Sequence, residues 1–138
     1  RFLSNFYEVP VIYEGVKYNT SENAYQAAKC INPADKQQFI NISPGKAKRL
    51  GKKIILRSDW EDVKVQIMKD IVMAKFTQNE DLKEKLLSTG NTYLEEGNTW
   101  GDRIWGVVDG NGANLLGNIL MNVRKELQLE LDKDIGLD

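Results

Sequence analysis

The segment RSDWEDVKVQIMKDIVMAKFTQN, residues 57–79, constrains this chain more than any other. Its apolar residues recur at helical spacing in two rows. Trp60, Val63, Ile67, Ile71 and Ala74 form one row, and Val65, Met68, Val72 and Phe76 form the other. A helix with two apolar faces must be covered on both, so this one is expected to be central. Ser58 and Glu61 predict a capping box at its start. The pieces around it are short. A hairpin is predicted in VPVIYEGVKYNT, turning at Glu14-Gly15. Helices are predicted after Thr20 or Ser21, after Asn32 with Pro33 first, and after Ser43 with Pro44 first, the last stopping at Gly51. NEDLKEKLLSTG reads as a helix closed by Gly90, NTYLEE and RIWGVVDG as strands, and NGANLLGNILMNVRKELQLEL as the final helix, with Leu116, Leu120, Val123 and Leu127 in phase. Residues 131–138 are expected to be a frayed tail. The sum is one mainly helical α+β domain over 1–138, with a small number of short strands.

Composition narrows the chemistry. The net charge of -1 offers no global field for nucleic acid, so a polyanion would have to meet a local cluster. Cys30 is the one cysteine, which rules out an internal disulfide and metal-type cysteine spacing, and fits a reducing, cytoplasmic setting. No apolar run reaches membrane-spanning length, so no membrane partner is expected. Histidine is absent altogether. Ser-His and Cys-His nucleophile pairs and imidazole metal sites are thereby excluded, and any catalysis must run on Asp, Glu, Lys, Tyr or backbone groups.

Several clusters could carry such chemistry. TSENAYQAAK places Glu22 and Lys29 seven residues apart, nearly two helical turns, with Gln26 between them and Tyr25 beside it. Ala24, Ala27 and Ala28 on the other side invite close packing. On composition alone, a solvated face is the simpler account of this polar stripe. LSNFY reads first as a turn held by Ser4 and Asn5. RSDW sets Arg57 and Trp60 at a helix start, where an anion could be held, although Ser58 could equally be only a cap and Trp60 only core. NTWGDRIWG flanks Asp102 with Trp100 and Trp105, residues that either pack or stack on a flat ligand. The glycines of DGNGANLLG do not have the spacing of a phosphate-binding loop. Lys46, Lys48, Arg49, Lys52 and Lys53 make a local basic patch whose default reading is a solvated surface. Without histidine to activate it, Cys30 is expected to be structural.

Taken in order, FLSNFY, TSENAYQAAK, AKRLG, RSDWE, MKDIVMAKFTQN, LLSTG, YLEE, WGDRIWG and GANLLGNILMNVR resemble the NADAR, or YbiA-like, family over nearly the whole chain, Phe2 to Arg124. The resemblance implies a compact, mainly helical α+β fold and cleavage of an N-glycosidic bond between ribose and a nitrogen base. It implies two substrate classes, phosphoribosylamino-pyrimidine intermediates of riboflavin synthesis and ADP-ribose attached to guanine in nucleic acid. It also assigns Glu22 and Lys29 to the active site, with Asp102 and Trp60 matching further family positions. Two departures stand out. Asn23 occupies the place of a usual family histidine, and the family's strand upstream of LSNF is expected to be lacking here.

The resemblance turns the stripe into an expected active site. Lys29, Glu22 and Asp102 are the catalytic candidates. Asn5, Phe6, Tyr25, Lys48, Arg57, Trp60, Trp105, Gly106, Asn114 and Gly117 are the substrate-binding ones. Trp60 and Trp105 would shape the base or ribose pocket, Asn5 and Asn114 would hydrogen-bond the ligand, and Arg57 or Lys48 would lie near phosphate. A lysine amine can attack the anomeric carbon and pass through a Schiff base, while a carboxylate moves protons. The alternative nucleophile is water activated by Glu22 or Asp102. No metal or cofactor is called for. The rival reading is a non-catalytic module that binds ADP-ribose or NAD.

Overall fold

The computed structural model describes residues 1–136, which divide after Asn79 into two compact units. The fold is mainly helical α+β, with six helices and one two-stranded sheet among the described residues. No helix among them is long and apolar enough to cross a membrane.

In the first unit, β1 (Val11–Tyr13) pairs antiparallel with β2 (Val16–Tyr18), Val11 opposite Tyr18. Glu14 and Gly15 turn the chain with φ of 49° and 80°, the left-handed pair that suits a tight hairpin. Then come α1 (Ser21–Ala27), α2 (Pro33–Gln37), α3 (Pro44–Gly51) and α4 (Trp60–Gln78). Thr20, Asn32 and Ser43 each accept a backbone N–H three residues on, as capping residues should. α1 packs against α3, α4, α2 and the hairpin, and α4 also packs against β1. Ile67, Met68, Ile71, Val72 and Phe76 of α4 are buried, but Val65 of the second expected row is exposed.

α3 ends at Gly51 as expected, although that residue is not left-handed; it is buried, and a Cβ there would overlap the Gln26 side-chain oxygen. The expected capping box of α4 does not form. Asp59 takes the N-cap position without a side-chain cap bond, because its carboxylate is bound by the Arg57 guanidinium at 2.6 and 3.0 Å.

The second unit begins with α5 (Glu80–Ser88) and ends with α6 (Leu115–Asp134), which pack together through residues including Leu82, Leu86, Leu116, Leu120, Val123 and Leu127. The two expected strands between them are absent. The carbonyls of 103–106 instead accept N–H groups from 113–116, and Asn114 occupies the backbone of Leu94 and Glu96. Only isolated bridges remain, Gly97 with Val107 and Val108 with Asn111. The expected tail is helical as far as Asp134, closed by the Ile135 N–H on Leu131 and the Gly136 N–H on Lys133. Residues 137 and 138 lie outside those described.

α1 is buried along its whole length, polar residues included, so a polar group there without a partner is costly; Ser21 Oγ and Gln26 Oε1 are the side-chain atoms left so. Asn23 is fully buried. Its Nδ2 donates to the carbonyls of Phe39 at 2.7 Å and Ile42 at 2.8 Å, and its Oδ1 accepts from the Thr20 hydroxyl at 2.6 Å. This amide ties α1 to the chain between α2 and α3. Asn23→Ala would strand the buried Phe39 carbonyl and the part-buried Ile42 carbonyl and should lower unfolding free energy by about 2–4 kcal/mol. Urea melts check this, and a loss under about 0.5 kcal/mol would reject the assignment.

Candidate active site

The first turn of α1 is fixed from outside the helix. The Glu22 N–H donates to the Asn5 carbonyl at 3.0 Å, which docks the LSNFY segment against it. Within that segment the Ser4 hydroxyl accepts from the Phe6 N–H at 3.0 Å, the expected turn. Asn5 is buried, its amide touching Met68 Sδ at 3.3 Å, and Phe6 is exposed. Lys75, a residue that sequence reasoning passed over, holds the same segment. It is 1% exposed, and its ammonium donates to the carbonyls of Phe2 and Ser4 at 2.6 and 2.9 Å. Its spacing of four from Ile71 on the buried face of α4 was the available signal.

Glu22 itself is 8% exposed. One turn later, Gln26 Nε2 donates to Glu22 Oε2 at 2.6 Å. The helix then stops at Ala27, so Lys29 does not project from a second helical turn as its phase suggested. It lies in the turn that follows, with its N–H on the Gln26 carbonyl and its own carbonyl accepting from the Arg57 N–H at 3.0 Å. Arg57 and Asp59, locked together, therefore brace the Lys29 backbone. The paired guanidinium edge is already engaged, which leaves less of Arg57 for the expected phosphate contact.

Lys29 is half-buried, its Nζ 5.8 Å from the Tyr25 ring centroid and 5.9 Å from that of Trp60. Those rings lie 5.2 Å apart, tilted by 53°. Burial pushes the Lys29 amine below the ordinary lysine range; Glu22 opposes this, and Lys52 and Lys64 add to it. Glu22, Gln26, Tyr25, Lys29 and Trp60 thus make one constellation: a carboxylate with a fixed proton partner, and an amine with a lowered proton affinity beside two aromatic rings. Lys48 is half-buried on α3.

The second unit holds the other candidates. Asp102 Oδ1 accepts from the N–H groups of Ile104 and Trp105 at 3.0 and 2.9 Å, forming a local turn, and Asn98 brackets its backbone. Trp105 is half-buried and Trp100 exposed. The Asn114 amide is spent on Glu96, Leu94 and Tyr93. Gly106 and Gly117 are required by the chain's own packing, since a Cβ would overlap the Glu96 carbonyl at one and the Leu94 carbonyl at the other. Among the described residues no group of three or more cysteine and acidic side chains could hold a metal ion.

A model of the NADAR domain matches residues 1–128. The chain belongs to the NADAR family. It is 37% identical to the N-glycosidase YbiA of Escherichia coli, over 92% of this chain and 81% of that protein. It is 40% identical to a riboflavin biosynthesis protein of Vibrio vulnificus, covering 92% of this chain but spanning only 35% of that protein. An N-glycosidase of Nostoc punctiforme is 36% identical, over 91% and 84%. The NMR structure of E. coli YbiA superposes with a TM-score of 0.84 at 36% identity, over 94% of this chain and 79% of that one. This NADAR chain therefore has the fold that its helical pattern predicted.

The Lys29 amine is the feature most open to direct measurement. After reductive methylation with labelled formaldehyde, its methyl resonance should titrate at lower pH than those of the exposed lysines. Because the folded state gives up this proton first, unfolding takes a proton up in that window. Stability relative to Lys29→Met should therefore rise with pH there. A Lys29 resonance that titrates with the exposed lysines would show that burial does not govern the amine.

Proposed function

We propose that this NADAR domain is an N-glycosidase that hydrolyses the bond between ribose and a nitrogen base. It is a hydrolase of N-glycosyl compounds, acting on a nucleotide-like, ribosylated substrate. The observation that carries this reading is the lowered Lys29 amine beside Tyr25 and Trp60, with Glu22 buried in the same helix and held by Gln26. The names of the relatives support the reaction class, and the family match through both units supports treating them as one functional domain.

In the proposed reaction, the Lys29 amine attacks the anomeric carbon as the carbon–nitrogen bond breaks, and the bonding pair leaves on the base nitrogen. Glu22, protonated at that moment, gives the nitrogen its proton. Loss of the amine proton and opening of the sugar ring yield an imine on Lys29, and water then hydrolyses the imine to free the sugar and the amine. Tyr25 and Trp60 supply faces against which a base or ribose can pack. Asp102 is assigned an assisting role, and Lys48 the phosphate contact, on the family pattern alone. The candidate substrates are ADP-ribosylated guanine in nucleic acid and phosphoribosylamino-pyrimidines of riboflavin synthesis.

Incubation with each substrate should release base from one of them, and borohydride added during turnover should trap the sugar on Lys29. Lys29→Ala should abolish trapping and turnover. Lys29→Arg should do the same, because a guanidinium keeps its charge. Near-normal turnover by Lys29→Arg would move the nucleophile to water activated by Glu22 or Asp102. Release of base from neither substrate would reject the reaction class.

A further inference from the structure

Gln26 combines three features that a merely packed glutamine does not need. It is 5% exposed, so its amide lies in the interior. Its Nε2 makes a 2.6 Å hydrogen bond to the Glu22 carboxylate. Its Oε1, on the other arm of the same amide, is buried with no hydrogen-bond partner. That oxygen sits against Gly51 of α3, where any side chain would overlap it, so the recess exists only because residue 51 is glycine.

We propose that Gln26 is a positioning residue that holds Glu22 in one orientation through both of its protonation states, by rotating its amide through half a turn in the recess at Gly51. The inference rests on Glu22 acting as the proton carrier. An ionised carboxylate accepts only, so it takes the Nε2 N–H. A protonated carboxyl has an O–H to donate, and the same amide, reversed, presents Oε1 to it. The reversal is nearly shape-neutral, because the oxygen and the amino group of a primary amide are close in size. It is also nearly balanced in energy. A buried polar atom without a partner costs about 1–3 kcal/mol, and either orientation leaves one such atom facing Gly51. A fully satisfied glutamine would have to break bonds on both arms to turn; this one breaks only its bond to Glu22, which the reversed amide replaces. Around Lys29, in the turn after α1, the groups that act on its charge are Glu22 itself, Lys52 beyond α3, Lys64 on α4 and the adjacent Cys30.

Two measurements test this. The first needs no substrate. In protein labelled with ¹³C and ¹⁵N, the Glu22 carboxyl resonance and the Gln26 side-chain amide resonances should titrate with one shared midpoint. In Gln26→Met, which keeps the length but has no amide, the Glu22 midpoint should move to higher pH, because the charge-assisted bond lost by the carboxylate is stronger than the neutral one lost by the acid. Gln26 resonances that stay unmoved across the Glu22 transition would overturn the proposal. The second uses whichever ribosylated substrate the wild-type domain cleaves. Gln26→Met should lose kcat on the order of 10²-fold, as expected for a misaimed proton donor, with KM within about twofold and thermal stability little changed. A merely structural role would lower stability and move KM, and would leave the Gln26 amide resonances of the wild type unmoved across the Glu22 transition. If the wild-type domain cleaves neither substrate, the proposed reaction fails while the shared titration still decides the role of Gln26.

Discussion

A seven-residue helix with no exposed residue dictates much of the first unit. An isolated helix of that length is unstable in water, so α1 exists only because its neighbours hold it. Its alanines let those neighbours come close, and its polar residues then have to be answered inside. Thr20 answers the first turn, Asn23 the carbonyls of Phe39 and Ile42, and Gln26 the Glu22 carboxylate. Half-buried, the Lys29 amine has its proton affinity lowered, with burial the largest cause.

The two chain segments that meet α1 divide the labour. At its N-terminal end, the turn at Ser4 and Asn5 is anchored on the Lys75 ammonium and hands a carbonyl to the Glu22 N–H. At its C-terminal end, the Arg57–Asp59 pair takes the Lys29 carbonyl through the Arg57 N–H. Backbone contacts thus hold the chain at both Glu22 and Lys29, and the Glu22 carboxylate is held by the Gln26 amide. Electrostatically, the site is a contest. Burial and the nearby Lys52 and Lys64 lower the Lys29 proton affinity, Glu22 raises it, and burial is the largest contribution.

Much of this was legible in the sequence, and the limits have physical causes. Capping residues and the hairpin turn act locally, so Thr20, Asn32, Ser43 and the Glu14-Gly15 pair could be read from a few neighbours. The RIWGVVDG and NTYLEE segments misled because their residue types suit strands, yet their hydrogen bonds go to Asn114 and to the residues that open α6. Partner choice of that kind is tertiary and leaves no local mark. Ser58 had the spacing of a cap, but a charge pair between Arg57 and Asp59 prevailed. On composition alone Gln26 belonged to a stripe that read as a solvated face, because helical phase does not distinguish solvent from a satisfied interior. Of the proposed site, Glu22, Tyr25, Lys29 and Trp60 do assemble in one unit, whereas Asn114, Gly106 and Gly117 are largely committed to the chain's own packing.

The contact between Gly51 and the Gln26 amide also orders the ways in which this sequence can change. With Gln26 in place, no side chain fits at position 51 unless the amide shifts. A shorter residue at 26 would open the space and make a larger residue at 51 tolerable, but only in that order. The intermediate with glutamine and alanine together is the crowded one. Across diverging NADAR sequences the two positions should therefore be inherited as a pair, with changes at 26 preceding changes at 51 along any lineage.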